Sequence, residues 1–339
     1  MAELTRRQLL MSIPAVALAS PAFSQSTPIR VRALNHFGIA VPDPKRSVDF
    51  YQGLFGMPVA ARGEGQTILR VGAGPQFISI GPVEAGESPR ITHYCLGVEG
   101  FNADRLLAAL AQHGVVKSDS IGPMKAIIET RNSRRLDLSF GDPDGIECQL
   151  QDVSFCGGTG PLGNVCGASE PSPKKGLIEL KDMSHLTIFS TDAARSNKFY
   201  QDLFGFSIRS YQGPTAPTLA VGPTVQFLMF TGGGVPARGG TPVAPPRPAS
   251  INHACMQVDA FKPDDVIKSL ESFGLKPRES TQGPVGPMRH YISMRMENRG
   301  GAKEGTPELY FTDPDGILMQ LQDTSYCGGS GFLGDACSK

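Results

Sequence analysis

The chain has 339 residues, enough for two domains of ordinary size, and a formal net charge of zero. A neutral chain carries no electrostatic footprint for nucleic acid or an anionic membrane surface. With 40 glycines, 28 prolines and no tryptophan, the composition describes a loop-rich globular protein of many short strands and excludes a coiled coil.

The first element lies outside the fold. Arg6-Arg7 precedes an apolar stretch from Leu9 to about Ala19, and small residues follow. This pattern predicts a signal peptide over residues 1–24, cut after Ser24. The paired arginines after Thr5 point to the twin-arginine export machinery, with an ordinary secretory signal as the competing reading. Either route makes the mature chain periplasmic or secreted, and the twin-arginine route, which carries folded proteins, suits a cofactor loaded before export. No later run approaches the roughly 18 apolar residues that span a bilayer, so no membrane contact is expected once the signal is removed.

The mature chain then alternates strands and helices. An apolar strand from Leu34 to Val41 carries His36, and an amphipathic helix is predicted from Ser47 to Phe55. A second His-bearing strand runs from Ile91 to Val98, followed by a helix over Asn102 to His113 and further alternating strands. The block closes on DPDGIECQLQD, from Asp142 to Asp152.

The same order returns. Residues 34–59 match 183–208, 91–115 match 251–275, and GPMK at 122–125 matches GPMR at 286–289. DPDGILMQLQD, from Asp313 to Asp323, closes the second copy. Two duplicated domains, 30–166 and 180–337, are therefore expected, joined by a polar, proline-bearing linker over 167–179. Each domain holds two strand–helix–three-strand units.

Seven cysteines are present. Cys156 and Cys166, like Cys327 and Cys337, flank a Gly-rich loop, which in an exported protein reads as a disulfide-closed loop; a metal or redox site is the competing reading. Cys95, Cys148 and Cys255 are left over. Cys95 and Cys255 each follow a strand histidine by two residues and are expected on the same face, as small buried groups or as soft ligands. The Pro-rich stretch 232–250 in the second domain is expected to be a surface loop near the second cavity.

The strings FYQGLFGM and FYQDLFGF, with the two DPDG turns and their strands, resemble the vicinal oxygen chelate superfamily: glyoxalase I, the fosfomycin and bleomycin resistance proteins, and the extradiol ring-cleaving dioxygenases. The resemblance covers nearly all of residues 30–323. It implies an α+β fold of four βαβββ modules, paired into two tandem domains with curled, mostly antiparallel sheets around a cavity. Four modules match the plan of the extradiol dioxygenases in particular.

Within that resemblance, ligands for a divalent metal ion come from the first strand of each paired module and from the strand after the DPDG turn. The matching positions are His36, His93 and Gln149 in the first domain and His185, His253 and Gln320 in the second. The third ligand is usually glutamate in the family, and here it is glutamine twice. Two histidines and a carboxylate make the facial triad of non-haem iron chemistry. A glutamine oxygen has no formal charge, so the metal would be a stronger Lewis acid held less tightly. Glu147, two residues before Gln149, offers the first domain a substitute carboxylate; the second has Leu318 there.

The second domain adds His290, after GPMR, and Tyr310, before the DPDG turn, where the first has Ala126 and Ser139. The resemblance implies that they flank a metal-bound substrate, His290 as acid or base and Tyr310 as a donor to developing negative charge. The expected function is a dioxygenase of extradiol type acting on a small, catechol-like compound, with Fe2+ as metal and Mn2+, Zn2+, Ni2+ or Cu2+ as alternatives. A glyoxalase-like lyase or isomerase and a non-enzymatic sequestering protein are the other two readings. The second domain is expected to be the working one. No oligomeric state follows from the sequence.

Overall fold

The computed structural model describes residues 28–337 except 64, 132–134, 233–247 and 282. The predicted signal peptide and most of the Pro-rich stretch lie outside the described residues.

The first strand, β1 (Val31–Val41), leads into helix α1 (Pro44–Phe55). Asp43 caps the helix by accepting from the Arg46 N–H, and Pro44 sits in the first turn, where no amide partner is needed. Gly56 ends the helix at φ 67°, and a Cβ there would stand 2.2 Å from the Lys175 carbonyl oxygen. Only glycine suits both demands. Strands β2 (Val59–Gly63), β3 (Gln66–Arg70) and β4 (Phe77–Pro82) complete the module.

The second module holds β5 (Arg90–Val98), α2 (Ala103–Gln112), a two-residue β6 (Val116–Lys117), β7 (Lys125–Arg131), β8 (Arg135–Gly141) and β9 (Glu147–Asp152). The short β6 is one strand more than the expected pattern. The nine strands form one sheet in the order β2-β3-β4-β1-β5-β9-β8-β7-β6. The two modules join where β1 and β5 run antiparallel.

The second half repeats the plan with β10 (Leu180–Phe189), α3 (Ala193–Phe204), β11 (Ile208–Tyr211), β12 (Pro217–Ala220), β13 (Phe227–Thr231), β14 (Ser250–Val258), α4 (Pro263–Phe273), β15 (Lys276–Pro277), β16 (Arg289–Arg295), β17 (Thr306–Thr312) and β18 (Leu318–Asp323). Its sheet order is β11-β12-β13-β10-β14-β18-β17-β16-β15, the same path. Both sheets are mixed and open. They are the paired-module α+β fold that the sequence predicts.

The main hydrophobic core runs through both halves, with a small separate cluster of Phe227, Met229 and Tyr326. Helix α1 packs its Phe50 against Phe273 and Phe311 of the second half, and Phe199 of α3 packs against Phe140 of the first. The polar contacts are reciprocal too. Arg46 pairs with Asp315 and Arg195 with Asp144. Tyr51 Oη donates to Asp313 at 3.2 Å and Tyr200 Oη to Asp142 at 3.4 Å. Gly72 and Gly222, both at φ 63°, let the facing backbones close up: a Cβ on either would lie 1.9 Å from the carbonyl oxygen of Lys181 or Arg32.

Both disulfides are formed, Cys156–Cys166 and Cys327–Cys337, with Cα atoms 6.4 and 6.3 Å apart. Cys95, Cys148 and Cys255 are free and buried.

Candidate metal centres

Alternation along the strands decides which side chains meet. In the first half, Glu147 and Gln149 on β9 pair with His93 and Cys95 on β5, while Ser139 on β8 pairs with Gln149. His36, from β1, stacks on Phe77 at 4.2 Å and meets His93 edge to face at 5.4 Å. All of these side chains but Cys95 line a cavity of about 120 Å³, together with Asp137, Arg135, Glu129 and Phe155.

The hydrogen bonds fix both imidazole tautomers. Asn35 donates its amide to the Phe155 carbonyl at 2.8 Å, which leaves its oxygen to accept from His36 Nδ1 at 2.8 Å. Thr92 donates its hydroxyl proton to the Gly38 carbonyl at 3.2 Å, so the same oxygen accepts from His93 Nδ1 at 2.9 Å. Each Nδ1 therefore carries the proton and each Nε2 keeps a bare lone pair. The two Nε2 atoms face one another at 3.3 Å. Two lone pairs so close repel unless a cation draws on both. Orientation of ligating histidines through Nδ1 is how proteins prepare metal sites.

The second half repeats the arrangement. His185 stacks on Phe227 at 4.3 Å and meets His253 edge to face at 5.5 Å. His253 Nδ1 is tied to Asn252 Oδ1 at 2.7 Å, and its Nε2 has no partner. Gln320 lies beside both histidines. It is 1% exposed, and neither its oxygen nor its nitrogen makes a hydrogen bond. A buried amide with no partner is costly unless something absent from the protein chain satisfies it.

Burial holds all four histidines below the usual imidazole value. His36 and His185 are pushed well down by burial, then by the neighbouring His and by Arg135 or Arg295. Burial also lowers His93, against the pull of Glu147 and Asp137, and takes His253 to about 4. Neutral imidazole is the form that binds a metal. Among the described residues no group of three His, Cys, Asp or Glu side chains converges as a metal cluster; the side chain set beside the histidines in each half is a glutamine amide, Gln149 or Gln320. The donor set of two neutral histidines and one amide oxygen fits a divalent ion held by neutral ligands.

One expectation needs correction. His290 does not reach the cavity. On β16 it pairs with Phe311, while its neighbour Tyr291 pairs with Tyr310. The imidazole is turned to the helix layer, with Nε2 3.3 Å from Glu271 of α4. One residue along a strand changes the face, so Tyr291, stacked on Tyr310 at 5.0 Å, occupies the cavity side. Of the two readings of Cys95 and Cys255, the structure matches small buried groups. Their thiols point to the carbonyls of Leu96 and Met256, and burial pushes both well above the usual thiol range.

Tyr310 lies beside the second histidine pair. It pairs with Gln320 across the ladder, and its ring stands edge-on to His253 at 5.2 Å. The sequence reading missed a deeper layer. Asp137, two residues before Ser139, is held by Arg135 at 2.8 Å; Glu308, two residues before Tyr310, is held by Arg295 at 2.7 Å. Arg295 is fully buried. The signal for both carboxylates was the same alternation that placed Gln149 and Gln320. Tyr326 and Phe155, each just before a disulfide cysteine, lie 5.5 and 5.6 Å from His185 and His36.

The chain is a duplicated paired-module protein with one histidine-lined centre per half. The family model for the glyoxalase/bleomycin resistance protein/dioxygenase superfamily matches residues 33–150 and 182–321, and the chain belongs to that superfamily. Among solved structures it is similar to the Mn(II)-bound glyoxalase from Novosphingobium aromaticivorans, at TM-score 0.57 and 16% identity over 86% of this chain and 82% of that one. A catechol 2,3-dioxygenase matches at 0.56 and 16%, covering 89% and 88%. The 2,3-dioxygenase LapB from Pseudomonas sp. KL28 matches at 0.58 and 14%, covering 87% and 93%. Likeness at this identity concerns the fold. No curated protein sequence matches the chain significantly.

Proposed function

We propose that the protein is a divalent-metal enzyme that acts on a small vicinally oxygenated compound, as a dioxygenase of the extradiol kind, with its working centre in the second half. The observation that carries this reading is the pairing of partnerless imidazole nitrogen with a partnerless buried amide, at His253 and Gln320. His185, His253 and Gln320 would hold the ion, with Fe2+ as the first expectation; in the first half His36, His93 and Gln149 or Glu147 would do so. The ion would supply positive charge for two adjacent substrate oxygens and an open position for a co-reactant.

The residues of the chain do the rest. His185 is kept flat against Phe227, and His253 is fixed through Nδ1, so both ligand directions are set before a ligand arrives. Tyr310 stands edge-on to His253 with Tyr291 stacked on it, so the two rings would shield one side of a bound ligand from water. With His290 turned away, Tyr310 is the one of the two expected groups that stays beside the histidines of this half. Export through the twin-arginine route completes the proposal.

Oxygen uptake by Fe2+-loaded protein over a panel of catechols tests it; uptake confined to metal-loaded protein is expected. One observation favours a second reading. The neutral glutamine in place of a carboxylate leaves the ion more acidic, which suits a lyase or isomerase of the glyoxalase kind. Anaerobic turnover of a hemithioacetal without oxygen uptake would select it. Protein purified from its native compartment with no metal and no turnover would sink both.

A further inference from the structure

Glu308 lies beneath the second centre on β17, on the same face as Tyr310. Its carboxylate is an acceptor only, and each phenol that reaches it owns one proton. Oε1 accepts from Arg295 Nε at 2.7 Å and from Tyr326 Oη at 3.2 Å. Oε2 accepts from Tyr310 Oη at 3.3 Å, and among the described residues Tyr310 is the group that serves it. Both phenols therefore donate inward, away from a ligand. Tyr326 also accepts from Gln212 Nε2 at 3.1 Å, so its oxygen is used on both sides. Of these two phenols, Tyr310 is the one that keeps a lone pair to offer. Tyr291 stacked behind it at 5.0 Å fixes the plane of its ring.

We propose that Glu308 is a positioning residue that makes Tyr310 a hydrogen-bond acceptor toward the cavity, so that the second centre selects ligands presenting a hydroxyl donor, such as a neutral or singly ionised ortho-diol. This rests on the reading of the second half as a site for small vicinally oxygenated compounds. It reverses the role first expected for Tyr310, which was to donate. A ligand with only acceptor oxygens would meet the Tyr310 lone pair and lose by it. The first half lacks the device. Ser139 stands in place of Tyr310, and Asp137 is occupied by Arg135 and by Gln151 Nε2 at 2.6 Å.

The test is calorimetric titration of Zn2+-loaded protein, which cannot turn over by oxidation, with catechol and with 1,2-dimethoxybenzene. Glu308→Gln keeps an acceptor for Arg295 and places an amide donor on the Tyr310 oxygen, which frees the phenolic proton for the cavity. The preference for the diol over the diether should fall about tenfold or more in Glu308→Gln, through weaker diol and stronger diether binding. In Tyr310→Phe, which removes one hydroxyl and no packing, diol binding should weaken by about tenfold while diether binding holds or strengthens. An unchanged preference in the folded Glu308→Gln protein overturns the proposal. So does an equal loss of both ligands in Tyr310→Phe, or a wild-type protein that binds neither. If Glu308→Gln does not fold, Tyr310→Phe decides alone. Oxygen uptake by the Fe2+ form is scored separately: a shifted preference without catechol turnover rejects the dioxygenase reading and leaves this inference standing.

Discussion

The two halves share a frame and differ in what they hang on it. Both place two histidines and a glutamine at equivalent positions, both tie an arginine to a deep carboxylate, and both close the strand after the DPDG turn with a disulfide loop. The walls differ. Ile127, Ser139 and Phe155 in the first half become Tyr291, Tyr310 and Tyr326 in the second. Even the shared ion pair is built differently: Arg135 sits on the same strand as its Asp137, whereas Arg295 reaches Glu308 from the neighbouring strand. After duplication, positions set by backbone geometry stayed, and positions that only reach into the cavity were free to diverge. The first centre became charged, with Glu129, Asp137 and Glu147 around it. The second became phenolic.

The largest expected effect separates the centres outright. His185→Ala with His253→Ala should abolish turnover, by about 10²-fold or more, while His36→Ala with His93→Ala should leave most of it. Steady-state rates on folded protein decide this, and an inactive first-half variant would move the working centre to the first half.

Opening the disulfides should cost similar stability in each half but unequal activity. A closed loop of this length is worth about 3 kcal/mol, so Cys156→Ala with Cys166→Ala and Cys327→Ala with Cys337→Ala should show comparable losses in urea unfolding. Only the second pair should reduce turnover, because Tyr326 precedes that loop and Arg295 Nη2 holds its Gly329 carbonyl at 2.9 Å. Equal activity losses would contradict the division of labour.

Next in size is a pH effect on which the halves should agree. Asp142 and Asp313 open the two turns, and burial raises each carboxyl to about 6. Such a group stabilises the fold fully below its unfolded value, and that stabilisation is lost as pH rises through about 6. Asp313→Asn should match the wild type near pH 4 and exceed it by about 2–3 kcal/mol above pH 7, and Asp142→Asn should do the same. Unfolding at pH 5 and pH 8 measures it; a pH-independent difference would defeat it. The smallest effect is kinetic. Tyr310→Phe should lower kcat/KM by about tenfold, with Ser139→Ala neutral.

Much of this was legible in the sequence, because repetition supplied the alignment. The strand of His36, the helix after Asp43 and the DPDG turns each announce themselves by pattern, and each recurs. The candidate glutamines came from the family resemblance, four residues after the glycine of each DPDG turn, and Gln320 does lie beside His185 and His253. His290 was misplaced for a reason of register. It was anchored on the preceding GPMR turn rather than on its cross-strand partner, and an error of one residue inverts the face. Glu308 and Arg295 were missed because a buried ion pair needs two strands brought together, and Arg295 lies across an insertion with no matching spacing in the first half. The reciprocal contacts between halves were out of reach of any local pattern: nothing near Tyr51 in the sequence indicates Asp313.

Those reciprocal contacts bear on how the chain comes to exist as a working whole. Each half offers a bare glycine to the other's carbonyl, and each lends an arginine to the other's turn. Phe50, from the first half, braces Phe311 on the strand that carries Tyr310. Splitting the gene at the linker would therefore yield two fragments that complement one another rather than two independent domains. Melting of the intact chain should be one cooperative event, and a lesion in the helix of one copy should be felt as lost chemistry in the other.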